Sequence, residues 1–216
     1  MYAELRHEVS ARSVTLVAVS KTHAPERILE LYRQGQRAFG ENRPQEMLDK
    51  YATLPRDIAW HFIGHLQTNK VRLLAPFVQL IHSVDSGKLL LEIDKQAGRA
   101  GRVVDCLLQF HIAQEEHKFG FDEPTARQLL ASPEYQALQH VRLCGVMGMA
   151  TFTDDTGQIR REFQALRRIF ETLRNDFFAG ADHFRECSMG MSGDWRIAIE
   201  EGSTMVRIGS LLFGER

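Results

Sequence analysis

Eight short apolar runs, each separated from the next by a longer stretch, leave this chain few ways to fold. They are residues 14–20, 37–40, 60–64, 80–84, 104–111, 141–147, 184–188 and 204–208. Runs of this length and character read as strands, and the longer amphipathic stretches between them read as helices. Strand and helix in strict alternation predict parallel βαβ units rather than a meander or a bundle. Eight parallel strands close a barrel, so the expected fold is α/β, a (β/α)8 TIM barrel.

The helical stretches have readable ends. Proline opens 25–34 and 44–54, which stop at Gly35 and Pro55, and 87–100 stops at Gly101. Residues 124–130, 133–140 and 156–175 fill the later gaps. In the longest, Ile159, Phe163, Leu166, Ile169, Phe170 and Leu173 form one stripe able to cover a barrel strand. Only eight residues follow the last run, too few for a full closing helix, and residues 2–11 are expected to cover part of that face. An open doubly wound sheet fits the same alternation. It calls for Gly-x-Gly-x-x-Gly after the first strand, where Val17-Ala-Val-Ser-Lys21 puts a lysine instead.

A chain of 216 residues with 44% hydrophobic and 25% charged side chains fits one globular domain over residues 1–216. Its 27 basic and 28 acidic side chains give a net charge of -1, without global attraction to nucleic-acid phosphates or anionic membrane. The arginine pairs at 160–161 and 167–168 belong to the solvated face of an amphipathic helix. Glu4, Arg6, His7 and Glu8 interrupt the start, so no signal-peptide core is expected there, and no run reaches bilayer-spanning length. Cys106, Cys144 and Cys187 are odd in number, far apart and set in or beside apolar runs, which predicts buried reduced thiols. The expectation is a cytoplasmic protein, by default a monomer, with neither nucleic acid nor membrane as partner.

In such barrels the loops at the carboxyl ends of the strands build the site. Here those ends read Ser20-Lys21-Thr22, Gly40-Glu41-Asn42, Gly64-His65, Val84-Asp85-Ser86, His111, Gly148-Met149-Ala150, Ser188-Met-Gly-Met-Ser192 and Gly209-Ser210. Lys21 follows five small or apolar residues and should project into the barrel mouth. A desolvated lysine has a lowered amine pKa, and the neutral amine attacks aldehydes, although a strand-end lysine taken alone reads as a solvated charge.

The serine-glycine loop 188–192 runs through Gly193-Asp194 into a short amphipathic segment, 195–201, ended by Gly202. Such a loop offers backbone N–H groups, a helix dipole and two hydroxyls to an anion. The last strand ends in Arg207-Ile-Gly-Ser210, with another glycine and hydroxyl. Separately, either stretch is a plain turn. Together they stand after strands seven and eight, where barrels place a phosphate. Closure sets strand eight beside strand one, and so the phosphate groove beside Lys21. A phosphorylated aldehyde needs that pair, the phosphate anchoring while the amine captures the carbonyl, and pyridoxal phosphate is the common ligand of this kind.

Other patterns carry less. His61 and His65 flank Gly64 without the His-Glu-x-x-His pattern or a third ligand nearby, so no metal site is expected. Residues 190–194 approximate a nucleophile elbow but have Asp194 where its final glycine belongs. The methionines at 147, 149, 189 and 191 read as packing.

Ordered motifs run from end to end: Val17-Ala-Val-Ser-Lys-Thr22, Phe39-Gly-Glu-Asn-Arg-Pro-Gln-Glu46, Trp60-His-Phe-Ile-Gly-His-Leu-Gln-Thr-Asn-Lys70, His82-Ser-Val-Asp85, Gly145-Val-Met-Gly-Met-Ala150, Ser188-Met-Gly-Met-Ser192 and Val206-Arg-Ile-Gly-Ser210. In these the chain resembles the pyridoxal phosphate homeostasis protein family, related to the barrel domain of alanine racemase. The resemblance implies a fold-type III barrel that holds pyridoxal 5′-phosphate (PLP) as a Schiff base on Lys21. It implies that Ser188, Ser192, Gly209 and Ser210 hold the phosphate, with Gly190 in the same binding loop. Arg207 would face the pyridine nitrogen, Asn42 would line the pocket near the ring, and His61 and Met149 would stand close by. Pro44 and His111 depart from the usual family residues in the pocket wall.

The implied role is intracellular PLP homeostasis without established turnover, the cofactor passing to PLP-dependent apoenzymes. An arginine at the pyridine nitrogen stays protonated and keeps that nitrogen unprotonated, which supports carbanion chemistry poorly. The alternative is a PLP-dependent racemase, whose second base in the related racemases comes from a β-rich domain not expected in a chain ending at Arg216. A lysine-dependent aldolase acting on a sugar phosphate is the third reading.

Overall fold

Both faces of the first strand are covered, which is why Thr15-Leu-Val-Ala-Val19 carries apolar residues without alternating polar ones. The computed structural model describes residues 2–114 and 119–214. Helix α1 (Tyr2–Ser10) precedes β1 (Thr15–Val19), α2 (Pro25–Arg33), β2 (Ala38–Glu41), α3 (Pro44–Thr53) and β3 (Ala59–Phe62). A 3-10 turn at Thr68–Lys70 runs into α4 (Val71–Leu74), followed by β4 (Leu80–Val84), α5 (Gly87–Arg99) and β5 (Val104–Gln109). The remainder is α6 (Glu123–Ala131), α7 (Pro133–Gln136), β6 (Val141–Met147), α8 (Thr156–Phe177), β7 (Glu186–Ser188), α9 (Trp195–Glu200), β8 (Met205–Ile208) and α10 (Ser210–Phe213). The strands pair in sequence order and close as a barrel, with β8 parallel to β1 through Thr15↔Met205 to Ala18↔Ile208. The (β/α)8 fold read from the alternation is the fold observed.

Alternate side chains divide the core in two. Val17, Leu80, Leu107, Cys144, Met147 and Met205 come from five strands yet pack together, which is possible only inside the barrel. Their neighbours along the strands, among them Ala18, Phe39, Trp60, Phe62, Ile81 and Leu108, pack outward against Ile28, Met47, Leu90, Phe163 and Leu166 of the helices. The face without a long closing helix is covered by α1, whose Leu5 and Val9 join Val14, Leu16, Trp195, Val206 and Ile208. All three cysteines are free and buried, and burial pushes the Cys144 and Cys187 thiols up to about 12.

Several sequence boundaries need correction. The helix expected over 133–140 ends at Gln136, because the Asp94 carboxylate accepts the N–H groups of Gln139 and His140 at 2.9 and 2.6 Å and draws the chain into β6. The run at 104–111 leaves the sheet after Gln109, where Phe110 bridges to Phe121. Phe184, expected in β7, precedes it and stacks on Phe178 at 3.9 Å. The short α4, which buries Val71 and Leu74, was not anticipated.

Candidate functional site

The inward and outward alternation of β1 decides where Lys21 stands. Val17 faces the interior and Ala18 the helices. Beyond the strand end, the Ser20 hydroxyl turns outward and donates to Glu41 at 2.7 Å. Continued alternation turns half-buried Lys21 toward the mouth. Thr22 follows in the left-handed region with φ 69°.

Beside β1, β8 brings Arg207 inside in register with Val17, where it is 4% exposed. Its Nη1 donates to Ser188 Oγ at 2.6 Å and its Nη2 to the Gly148 carbonyl at 3.0 Å. Burial pulls its pKa down to about 10, which still leaves it charged at neutral pH. The Ser188 hydroxyl is shared with His82 Nδ1 at 3.0 Å, and His82 Nε2 meets His61 Nδ1 at 2.9 Å. Burial lowers the His61 pKa to about 4, and burial, with the adjacent His61 ring and the Arg207 charge, holds His82 well below its usual range. Both rings are therefore neutral at pH 7, and this four-residue chain carries one charge, on Arg207.

The loop after β7 turns sharply into α9. Gly190 adopts φ 97°, and a Cβ there would lie 2.6 Å from the Ala198 Cβ, so the tight approach of loop and helix requires glycine. Asp194 Oδ1 accepts the Met191 N–H at 2.5 Å, which fixes the loop from within. The N–H groups of Ser192 and Gly193 find no partner among the described residues. Ser192 Oγ accepts the Gly209 N–H at 3.3 Å and so ties the loops after β7 and β8 together. At the seam, a Cβ on Gly209 would stand 3.3 Å from the Val19 carbonyl oxygen, and His23 stacks on Phe213 of α10 with centroids 4.7 Å apart. Ser210, exposed, begins α10 on the same rim.

Lys21, Ser192, Gly209 and Ser210 thus share one seam, with Gly190 in the supporting loop and Arg207 and Ser188 below it inside the barrel. Asn42 ends up just past β2 with its Oδ1 buried and unpartnered among the described residues, as is His111 Nε2. Buried polar atoms are ordinarily paired, and the described residues supply these two with no partner. Met149 packs against the inner cluster. His65 is not with His61: it pairs with Asp85 at 3.0 Å and stacks on Phe119 at the rim.

The sequence alone assigns no role to His82, and it does not reveal the cluster of Ser20, Glu41, Lys50 and Glu46. For the histidines the signal was available: large apolar Trp60 and Phe62 face the helices, so His61 between them must face inward. The residues gathered here suit a phosphorylated aromatic aldehyde. An amine and an anion cradle meet at the seam, a cation lies within, and an amide oxygen lacks a donor.

The family model for the alanine racemase N-terminal domain matches residues 2–216. A curated relative from Aquifex aeolicus (strain VF5), a pyridoxal phosphate homeostasis protein, is 42% identical over 203 residues, 93% of this chain and 86% of its own. The solved structure of PipY from Synechococcus elongatus PCC7942 with PLP bound superposes with a TM-score of 0.87 at 38% identity, covering 99% of this chain and 98% of that one. The structure of PipY without PLP gives 0.90 at 39% identity, with the same coverage.

Proposed function

This chain belongs to the pyridoxal phosphate homeostasis protein family, and on that premise we propose that it binds PLP for intracellular PLP homeostasis, holding it as a Schiff base on Lys21. The observation that carries the reading is the seam, where the Gly209 N–H on Ser192 Oγ joins two phosphate-type loops beside the strand that delivers Lys21. When bound, PLP would supply an aldehyde and an electron-withdrawing ring.

Ser192, Gly209 and Ser210, with the backbone around Gly190 and Gly193, grip the phosphate and fix the far end of the ligand. The Lys21 amine then meets the aldehyde without a search for orientation. Arg207 directs a spare donor at the pyridine nitrogen; because the guanidinium keeps its proton, that nitrogen stays unprotonated. Ser188 was expected at the phosphate. Its hydroxyl is already shared between Arg207 and His82, so we assign it to aiming Arg207. Asn42 Oδ1 faces the ligand as an acceptor. No residue of this set is assigned a catalytic role.

The same reading takes residues 1–216 as a single barrel domain working as a cytoplasmic monomer, with PLP-dependent apoenzymes as recipients and neither nucleic acid nor membrane as partner. No helix of the described residues is long and apolar enough to cross a membrane. In a PLP titration, Lys21→Ala should abolish the visible absorbance band of the wild-type complex while the fold, followed by circular dichroism, is kept. A Lys21→Ala protein with the wild-type spectrum would overturn the assignment. Racemisation by the loaded protein above the rate of free cofactor, and lost with Lys21, would move the reading from carrier to enzyme.

A further inference from the structure

Behind the turn that carries Lys21, on the outer side of the barrel wall, lies a buried ion cluster that the binding of PLP does not use. Lys50 of α3 is 6% exposed in its side chain, and its ammonium donates to Ser20 O at 2.8 Å, Glu41 Oε1 at 2.7 Å and Glu46 Oε1 at 2.7 Å. An ammonium has three N–H groups, and all three are engaged. The fully buried Glu41 also accepts the Ser20 hydroxyl at 2.7 Å. Glu46 Oε1 accepts the Thr22 N–H at 2.6 Å.

Both chain neighbours of Lys21 are therefore fastened to one cluster, Ser20 by its hydroxyl and carbonyl and Thr22 by its N–H. Thr22 needs the fastening, because a β-branched residue holds a left-handed φ of 69° only where its surroundings impose it. Stability alone accounts poorly for the cluster, since buried ion groups recover little more than their desolvation cost. Glu41 illustrates this: burial raises its carboxyl pKa against the opposing pull of Lys50 and Ser20, and its Oε2 has no partner among the described residues.

We propose that Glu41, Lys50 and Glu46 are positioning residues for Lys21, fixing the turn at residues 20–22 so that the amine reaches the aldehyde carbon of a ligand gripped at the seam. The inference rests on the reading of Lys21 as the residue that captures PLP. In that capture a C–N bond forms, the carbonyl oxygen leaves as water with the two amine protons, and nothing is oxidised or reduced. Misplacing the amine by a fraction of an ångström slows the step without touching the phosphate grip.

The test compares two ligands on the intact protein: PLP, and pyridoxine 5′-phosphate, which has an alcohol in place of the aldehyde and cannot bond to lysine. Lys50→Met and Glu46→Ala should leave pyridoxine 5′-phosphate affinity within about twofold of wild type. Both should lower PLP affinity and the rate of band growth by on the order of tenfold. Glu46→Gln keeps an oxygen for the Thr22 N–H and should restore most of the loss. Should Lys50→Met not fold, the Glu46 pair decides, because that side chain is 21% exposed and its removal opens no sealed cavity. Equal losses for both ligands, unchanged PLP capture in Glu46→Ala, or no rescue by Glu46→Gln would overturn the proposal. A wild-type protein without any Lys21-dependent band would sink the parent reading and this one with it, a result distinct from the other three.

Discussion

Two buried polar networks flank the strands of the mouth, and they are built on different principles. Inside the barrel, Arg207, Ser188, His82 and His61 form a chain with a single charge and neutral partners. Outside it, between β1, β2 and α3, the Glu41 and Glu46 carboxylates and Ser20 gather around the one ammonium of Lys50. The outer network exhausts its donors on itself. In the inner one only two of the five guanidinium N–H groups of Arg207 are taken by described residues. Under the proposed function the buried cation with spare donors meets the ligand, whereas the one with none holds the backbone.

The contrast is sharpest in acid. With His61 near pKa 4 in the folded protein and 6.5 unfolded, the unfolded chain binds more protons between those values, so stability falls as pH drops from about 6.5 to about 4. His61 should contribute a loss on the order of 3 kcal/mol in urea unfolding; His82, also held low, adds to it in the same direction, and His61→Gln should remove only the His61 share. Glu41 works in the opposite sense. Its folded pKa is raised above 4.5, so the folded state holds the extra proton and stability declines as pH rises through that window. A pH profile unchanged by His61→Gln would break the distinction between the two networks.

Arg207→Met should cost roughly 2 kcal/mol, because Ser188 Oγ and the Gly148 carbonyl lose a charged donor. It should also shift the absorption maximum of bound PLP, which Lys50→Met should not. Gly190→Ala should lower stability by about 1–2 kcal/mol and weaken cofactor retention, since φ 97° and the Ala198 contact both oppose a side chain. The smallest effect is expected for Ser192→Ala, about 1 kcal/mol in retention, or roughly fivefold faster loss on gel filtration, with covalent capture intact.

The barrel was legible because strands covered on both faces leave uninterrupted apolar runs and the helices between them show one-sided stripes. What escaped was local. The turn at Thr68–Lys70 and the four residues of α4 are too short to display a period. Among the candidate residues, Lys21 and the glycine-serine pairs were visible because their spacing follows strand ends. Lys50 was not, since a lysine four residues after Glu46 on an amphipathic helix reads as half of a solvated pair. Only the packing of α3 against β2 reveals that Lys50 points inward, at 6% exposure. The link from Ser188 to His82 was equally hidden, joining residues 106 positions apart.

In the proposed function one amine, at the end of β1, captures a phosphorylated aldehyde held across the seam. Borohydride reduction of the PLP-loaded protein, followed by peptide mass mapping, addresses it directly. A single pyridoxyl group on the peptide containing Lys21 is the predicted result; an unmodified Lys21 peptide, with label on other lysines, would contradict it.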